Sequence, residues 1–385
     1  MVEHIPLGFQ VHTSAARLID DDRDDLTVIV SERPAVLSAM FTQSRFAGPS
    51  VVLSRDTTRD SSARGVVVLA RNANVATGKQ GFDNAVDVRR QVANAVGAAE
   101  DELLIASTGV IGVQYPMPEI RAALDRLRWP FGGTDFGAAA RAIMTTDTRP
   151  KMISLRCGNA SLVGIAKGIG MLEPDMATLL TFFCTDAQVA ASELDRVFRA
   201  VMARTFNAVS IDTDTSTSDT AAIFANGLAG PVAMDEFERV LHEAALYLVR
   251  EIASDGEGAS KLIEVHVTGA RDDEQAKRVG KAVVNSPLVK TAVHGSDPNW
   301  GRVAMAVGKC QGDHDIDQDR VRIGFGDLEV YPNTPDDDAV AALVRHLSGD
   351  TVRINIGLGI AHGRFTVYGC DLTEGYVRLN SDYTT

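Results

Sequence analysis

The chain of 385 residues is poor in cysteine and without a long apolar run, and these shortages exclude several classes of protein. Its four cysteines, Cys157, Cys184, Cys310 and Cys370, are scattered without a C-x-x-C pair, so we expect buried, reduced thiols and neither a zinc site nor a disulfide framework. The longest uncharged run, 103–118, contains polar residues and two prolines and is too short to span a membrane. Because the first residues also lack the basic and apolar regions of a signal peptide, we expect a cytoplasmic protein.

Acidic residues outnumber basic residues in this chain. The chain has 38 Lys and Arg against 51 Asp and Glu, a formal net charge of -13, so its field repels phosphate backbones and anionic lipids. We therefore expect no nucleic acid or membrane partner. Apolar residues make up 45% of the chain, which is typical of a globular protein, and the length favours two or three domains.

Short apolar runs and helical periodicity alternate along the chain, which predicts a layered α/β protein. Helices are predicted over 85–96, from Pro118, over 194–202 with Ser192 as the N-cap, over about 235–254 and over 276–284. Strands are predicted over 27–30, 51–53, 66–69, 179–183 and 263–267, and around positions 321, 330, 354 and 367.

Common catalytic and nucleotide-binding motifs are missing. No H-x-x-x-H pair and no G-x-S-x-G elbow occurs, so neither a metal hydrolase nor a Ser-His-Asp hydrolase has a sequence anchor, and we expect no metal. Asp212-Thr213-Asp214-Thr215 imitates the D-x-D-x-T motif of aspartyl-phosphate phosphatases, in which one carboxylate is the nucleophile. The alternative interpretation is a turn capped by its own side chains.

The glycine-rich segment 164–178 leads into the apolar run 179–183 and contains a single lysine, Lys167. One interpretation is a loop that precedes a buried strand, with Lys167 as an exposed loop charge. The other starts from Thr178, which follows the small Ala177 at the start of this strand. If the peptide between them were cleaved, Thr178 would carry both a hydroxyl and a free α-amine, which titrates near pH ~8 and can act as a base without histidine.

Acyl transfer builds negative charge on a carbonyl oxygen, so such a nucleophile needs hydrogen-bond donors aimed at that oxygen. The segment 107–112 offers the hydroxyl of Thr108 and the backbone N–H of Gly109 within one turn. On its own this segment also fits an ordinary turn.

Taken together, Ser107-Thr108-Gly109-Val-Ile-Gly112 and Ala-Lys167-Gly-x-Gly-Met-x-x-Pro174-x-Met-Ala177-Thr178 resemble the ornithine acetyltransferase family of self-processing N-terminal-nucleophile enzymes. The resemblance extends over the whole chain, through the segments 144–148, 214–220, 255–258, 295–302 and 380–385. Because 212–219 falls within this resemblance, the phosphatase interpretation is set aside.

The resemblance implies autocleavage between Ala177 and Thr178, giving an α chain of residues 1–177 and a β chain of 178–385, assembled as α2β2. It implies that Thr178 is the nucleophile and that Thr108 and Gly109 stabilise the oxyanion. The substrate-binding positions that it implies are Thr145, Lys167, Thr178, Glu257, Asn380 and Thr385.

The implied reaction moves the acetyl group of N2-acetylornithine to glutamate through an acetyl ester on Thr178, with no cofactor. The implied fold has α/β/β/α layers and a smaller C-terminal α/β domain from about 270 to 385. Two alternatives remain: a self-cleaving amidase or aminopeptidase, in which water takes the acyl group, and a metabolite-binding protein without enzymatic activity.

Three residues depart from the pattern that is usual in arginine biosynthesis. Asp175 stands where P-N-M-A-T has Asn, and Thr213 and Ser218 stand where G-D-T-S-T-N-D has Gly and Asn. These departures resemble the paralogue associated with clavulanic acid gene clusters, so the sequence leaves the pathway open between arginine and clavulanic acid biosynthesis.

Overall fold

The computed structural model describes residues 4–19, 22–173, 179–333 and 336–382. The first part of the chain forms the elements β1 (Phe9–Ser14), β2 (Leu26–Phe41), α1 (Pro49–Thr57), β3 (Ser62–Leu69), α2 (Gly78–Val96), β4 (Leu103–Ser107), α3 (Met117–Leu124), α4 (Phe136–Ala142), β5 (Lys151–Cys157), β6 (Ala160–Lys167), β7 (Leu180–Gln188), α5 (Ala191–Arg204), β8 (Thr220–Pro231) and α6 (Met234–Ser254). The second part forms β9 (Leu262–Ala270), α7 (Asp273–Val284), α8 (Pro287–His294), α9 (Trp300–Gly308), β10 (Arg322–Phe325), β11 (Leu328–Tyr331), α10 (Asp337–Leu347), β12 (Thr351–Gly357), β13 (Gly363–Cys370) and α11 (Glu374–Asp382).

The larger sheet has the strand order β4-β3-β2-β8-β7-β6-β5, and β1 pairs with the first half of β2. The long strand β2 joins two halves of this sheet, because its residues 26–30 and 35–36 pair with β3 and its residues 36–41 pair with β8. The register with β3 shifts between Val30 and Ala35, which marks an irregularity between the two halves.

Side chains of successive residues point to opposite faces of a strand, and this alternation produces the layers. Val66 of β3 and Phe182 of β7 belong to one apolar cluster, which lies between the two halves of the sheet. Val67 faces the other way, into the cluster formed with α2 and α3, and Phe183 faces the cluster formed with α5 and α6. The α/β/β/α fold class predicted from the sequence is therefore confirmed.

The smaller sheet has the order β11-β10-β12-β9-β13, and its core also includes residues of α7, α8, α9 and α10. Its first strand begins at Leu262, ahead of the boundary predicted near 270. Tyr368 and Cys370 of β13 pack into the core formed with α5 and α6, so the two sheets share apolar contacts. The division of the chain into separate domains stays a prediction.

Several local predictions were wrong. Residues 51–53 lie in helix α1, not in a strand, because Pro49 favours a helical first turn and a three-residue apolar run fits a buried helix face equally well. Helix α5 begins at Ala191 after Ala190, so Ser192 lies inside its first turn and is not the N-cap. Among the cysteines, Cys310 is only partly buried, whereas the other three are buried.

No helix in the described part of the chain combines the length and the apolar character that crossing a membrane requires.

Candidate functional site

A cleft opens where the end of β6 and the starts of β7 and β8 meet. Leu180 of β7 pairs with Lys167 on one side and with Thr220 on the other, so these three strand ends are neighbours in the sheet. Loops complete the walls of the cleft. The lining residues are Thr108, Gly109, Ile111, Thr145, Thr146, Lys167, Gly168, Gly170, Met171, Leu179, Leu180, Ser216–Asp219, Glu257 and Asn380.

Lys167 lies at the end of β6 and not in an exposed loop, which corrects that alternative from the sequence. Only 8% of the residue is exposed, and its Nζ donates a hydrogen bond of 3.1 Å to Thr108 Oγ1. An ammonium group can only donate, so Thr108 Oγ1 is the acceptor in this bond. The hydroxyl hydrogen of Thr108 can then point to a second acceptor, such as a developing oxyanion.

The turn after β4 requires a glycine at position 109. Gly109 has a φ of +129°, and a Cβ at this position would lie 2.1 Å from the carbonyl carbon of Arg71. The neighbouring residues hydrogen-bond to the strand alongside, with Thr108 N donating to Leu69 O at 3.0 Å and Val110 N donating to Arg71 O at 3.1 Å. These hydrogen bonds hold the turn so close to the Arg71 backbone that only glycine fits at position 109.

Glu257 lies on the loop after α6 and lines the cleft. Its carboxylate accepts a hydrogen bond from Thr146 Oγ1 and another from Asn380 Nδ2, both at 2.9 Å. Its backbone N–H donates to Ile169 O at 3.0 Å, which ties the loop to the segment after β6. The packing is tight here, because a Cβ on Gly170 would lie 2.4 Å from the Glu257 carboxyl carbon.

A buried ionic cluster behind the cleft was missed by sequence reasoning. Lys151 Nζ lies 2.8 Å from Asp147 Oδ1 and 2.7 Å from Asp255 Oδ2, and the side chains of all three residues are at most 2% exposed. Asp147 and Asp255 fall within segments that carry the family resemblance, but Asp255 lies 104 positions from Lys151 in the chain. No local pattern reveals such a pairing.

Charges around the cleft shift the pKa values of its buried groups. Burial lowers the pKa of Lys167 below its usual range, against the opposing effect of the carboxylates of Asp147, Asp219 and Glu257. Burial alone would raise the pKa of Asp147, but the ammonium groups of Lys167 and Lys151 outweigh it, and the pKa of Asp147 lies below its usual range. Desolvation and charge pairing thus oppose each other at both groups.

Asp212 binds the backbone of the segment that precedes the predicted cleavage point. Its Oδ2 accepts the N–H of Met171 and its Oδ1 accepts the N–H of Leu172, both at 2.7 Å. Glu173 continues this attachment, because its N–H donates to Asp214 O at 2.8 Å. The contacts fit the interpretation of 212–215 as a turn capped by side chains.

Most of the predicted site residues come together in the cleft. Thr108, Gly109, Thr145, Lys167, Glu257 and Asn380 all line it, although they come from five separate segments. Ala177, Thr178 and Thr385 lie outside the described residues, but Leu179, which follows Thr178 in the chain, is part of the lining. The roles of all these residues stay predictions. Within the described ranges, no group of three or more His, Cys, Asp or Glu side chains could hold a metal ion.

Comparison with known proteins gives the family. The model of the ArgJ family matches residues 10–385. The chain belongs to the ArgJ family. It is 69% identical to the protein named glutamate N-acetyltransferase Oat2 from Streptomyces clavuligerus, over 99% of this chain and 98% of the relative. It is 55% identical to the arginine biosynthesis bifunctional protein ArgJ of Rhodococcoides fascians, over 99% of this chain and 94% of the relative.

A solved structure of ArgJ from Bacillus halodurans is similar as well. It is 37% identical, with a TM-score of 0.48, and the match covers 51% of this chain and 96% of the solved chain. The prediction of an ornithine acetyltransferase, made from sequence motifs, is confirmed at the level of the ArgJ family by the match over residues 10–385 and by the two relatives.

Proposed function

We propose that this ArgJ family protein is a glutamate N-acetyltransferase that takes the acetyl group of N2-acetylornithine and transfers it to glutamate. Its membership of the family makes it an acetyltransferase of the ornithine acetyltransferase type. The observation that best supports the detailed proposal is the composition of the cleft. The cleft brings together the Thr108 hydroxyl, the turn at Gly109, the buried Lys167 ammonium and the hydrogen-bonded Glu257 carboxylate. Leu179, the residue after Thr178, lines the same cleft.

Thr178 is the proposed nucleophile, and cleavage after Ala177 frees its α-amine. In the first half-reaction the amine accepts the proton of the Thr178 hydroxyl while Oγ attacks the acetyl carbonyl of acetylornithine. The C–N bond then breaks, the proton passes to the departing nitrogen, and ornithine leaves. In the second half-reaction the amine of glutamate attacks the ester, and Thr178 Oγ recovers its proton as acetylglutamate leaves.

Both half-reactions pass through a negatively charged carbonyl oxygen. The Thr108 hydroxyl, held as an acceptor by Lys167, can turn its hydrogen toward this oxygen, and the Gly109 N–H is the second proposed donor. A pair of oriented donors in a partly buried cleft is worth more than the same pair in water, because nothing must reorganise when the charge develops.

Binding follows from the charges of the two substrates. Acetylornithine carries a carboxylate and a side-chain ammonium, whereas glutamate carries two carboxylates and the attacking amine. Lys167 is the proposed partner of a carboxylate and Glu257 that of an ammonium, and charged pairs of this kind are strong when partly desolvated. Thr145, Asn380 and Thr385 complete the proposed substrate contacts.

Processing, assembly and pathway belong to the same proposal. The α chain of 1–177 and the β chain of 178–385 stay together as α2β2 in the cytoplasm. The pathway served is arginine biosynthesis or clavulanic acid biosynthesis, and the departures at Asp175, Thr213 and Ser218 support the second.

The test combines mass and turnover. Denaturing mass spectrometry of active wild type should find two chains, and Thr178→Ala should remain intact and inactive. With acetylornithine alone, the β chain should gain one acetyl group on Thr178. Isotopically labelled glutamate should then release that group as labelled acetylglutamate.

The alternatives predict different results. An amidase or aminopeptidase would release acetate at the same rate with and without glutamate, and a metabolite-binding protein would carry no acetyl group on Thr178. Active protein whose residues 177 and 178 remain joined would contradict the proposed nucleophile. A parallel reaction with acetyl-CoA as the only donor determines whether that compound can replace acetylornithine.

A further inference from the structure

Four buried side chains of alternating charge extend from the β-chain side of the cleft wall to the Thr108 hydroxyl. Asp255 binds Lys151 at 2.7 Å and Lys151 binds Asp147 at 2.8 Å. Lys167 comes next: the charge of Asp147 acts on it through space, and its ammonium donates to Thr108 Oγ1 at 3.1 Å. A buried charge without a partner of opposite sign costs about several kcal/mol. The alternation of acidic and basic side chains therefore allows two lysines to be buried here.

Asp147 also holds the backbone of two cleft segments. Its Oδ2 accepts the N–H of Thr145 at 3.2 Å, and its Oδ1 accepts the N–H of Gly168 at 3.0 Å in addition to Lys151 Nζ. Both segments line the cleft, whereas Asp147 does not. One carboxylate behind the wall therefore fixes the loop that presents Thr145 and the strand end that presents Lys167.

Resting on the acetyl transfer proposed above, we propose that Asp147 is a positioning residue of this reaction: supported by Lys151, it holds the Lys167 ammonium in its charged form against Thr108 and fixes the loop of Thr145. It acts through these residues and does not touch substrate. A carboxylate that only stabilised the fold would not need to join two cleft segments and the charge of Lys167 at once.

The charges facing Lys167 determine the sign of the expected effect. Asp147, Asp219 and Glu257 favour its charged form, whereas burial and Lys151 favour the neutral form. Loss of the Asp147 charge therefore lowers the pKa of Lys167 further. The ammonium is then lost at a lower pH, and activity that depends on it falls at a lower pH as well.

The test is the pH profile of kcat/KM for glutamate-dependent ornithine release by Asp147→Asn, measured on fully cleaved protein. We expect kcat/KM to fall at least tenfold and the alkaline limb to move down by about one pH unit or more, the effect of removing a nearby opposite charge. The acidic limb, assigned to the Thr178 amine, should stay in place.

Asp255→Asn covers the case in which Asp147→Asn does not fold. It removes the outer carboxylate of the same chain of charges, and we expect a smaller shift of the alkaline limb in the same direction. Arg149→Met is the matched control, because Arg149 contacts Asp255 at 3.3 Å from a side chain that is 44% exposed, where solvent screens its charge. Its alkaline limb should match that of the wild type.

The outcomes separate the two proposals. If the wild type transfers acetyl to glutamate while folded Asp147→Asn loses thermal stability but keeps the wild-type alkaline limb and KM, Asp147 is only structural and the inference fails. An unmoved limb in Asp255→Asn overturns it in the same way. A wild type without glutamate-dependent ornithine release overturns the proposed function, and this inference with it.

Discussion

Gly170→Ala tests whether the position of the Glu257 carboxylate matters for catalysis. A Cβ at position 170 would lie 2.4 Å from the Glu257 carboxyl carbon, whereas ordinary van der Waals contact begins at 3.4 Å. The carboxylate must therefore move by about 1 Å. Because Thr146 and Asn380 both hydrogen-bond to it at 2.9 Å, this movement disturbs both contacts.

The expected loss is in activity and not in folding. A misplacement of about 1 Å in a substrate-positioning group can reduce the rate by about 10²-fold, which corresponds to about 2.7 kcal/mol of transition-state stabilisation. The φ of Gly170 lies outside the left-handed region, so alanine introduces no backbone strain. Its effect on the unfolded chain is even slightly stabilising, by about 0.4–1 kcal/mol, which offsets part of the cost of moving Glu257.

The assay is steady-state kinetics with both substrates, together with thermal unfolding. We expect kcat/KM to fall by one to two orders of magnitude, about the range given above, while the melting temperature changes little. Gly308→Ala is the control, because a Cβ there meets no atom within 4 Å and the residue lies at the end of α9, outside the cleft. A Gly170→Ala enzyme within twofold of the wild type would refute the assigned role of Glu257.

Three further predictions use single substitutions or labelling. Gly109→Ala places a Cβ 2.1 Å from the Arg71 backbone at a positive φ, and we expect a loss of more than about 3 kcal/mol in chemical denaturation, against about 1 kcal/mol for Gly112→Ala, which has open space. Glu257→Gln removes the charge and turns a donor toward its neighbours, so KM should rise about 10- to 100-fold, and an unchanged KM for both substrates would contradict the ammonium contact. A thiol reagent at pH 8 should label Cys310 ahead of the other cysteines, because the others are buried, and mass spectrometry of peptides reads the order.

Secondary structure was predictable where a pattern was long. Helix α6 carries an apolar stripe over six turns, and the sequence located it to within a residue of its observed start at Met234. The run 51–53 was too short to have a period, and its helix is decided by Pro49 and by burial of Val51 and Leu53 against the core. The two helices differ in the length of their periodic pattern and not in their apolar character, and only the longer pattern was predictive.

The candidate site was predictable only through its motifs. Thr108, Lys167 and Glu257 were found because each falls in a segment that resembles the ornithine acetyltransferase family, and the fold brings them to one cleft. Lys151 was missed, because its role depends on its ion pairs with Asp147 and Asp255, which lie 4 and 104 positions away in the chain. Only the fold brings these three residues together. Pairing over such a distance is a property of the fold and leaves no mark in the local sequence.

The predicted cleavage point lies between two strands that pair with each other, and this pairing explains why the two chains would stay together. It lies between β6 and β7, which are neighbouring strands whose backbones pair from Lys167 opposite Leu180 to Leu162 opposite Thr185. The pairing of β2 with β8 also joins the two chains, from Phe41 opposite Thr220 onward. Separation would expose unpaired edges in the middle of the sheet and its apolar faces, so loss of one peptide bond leaves the hydrogen bonds and packing that hold the cleft intact.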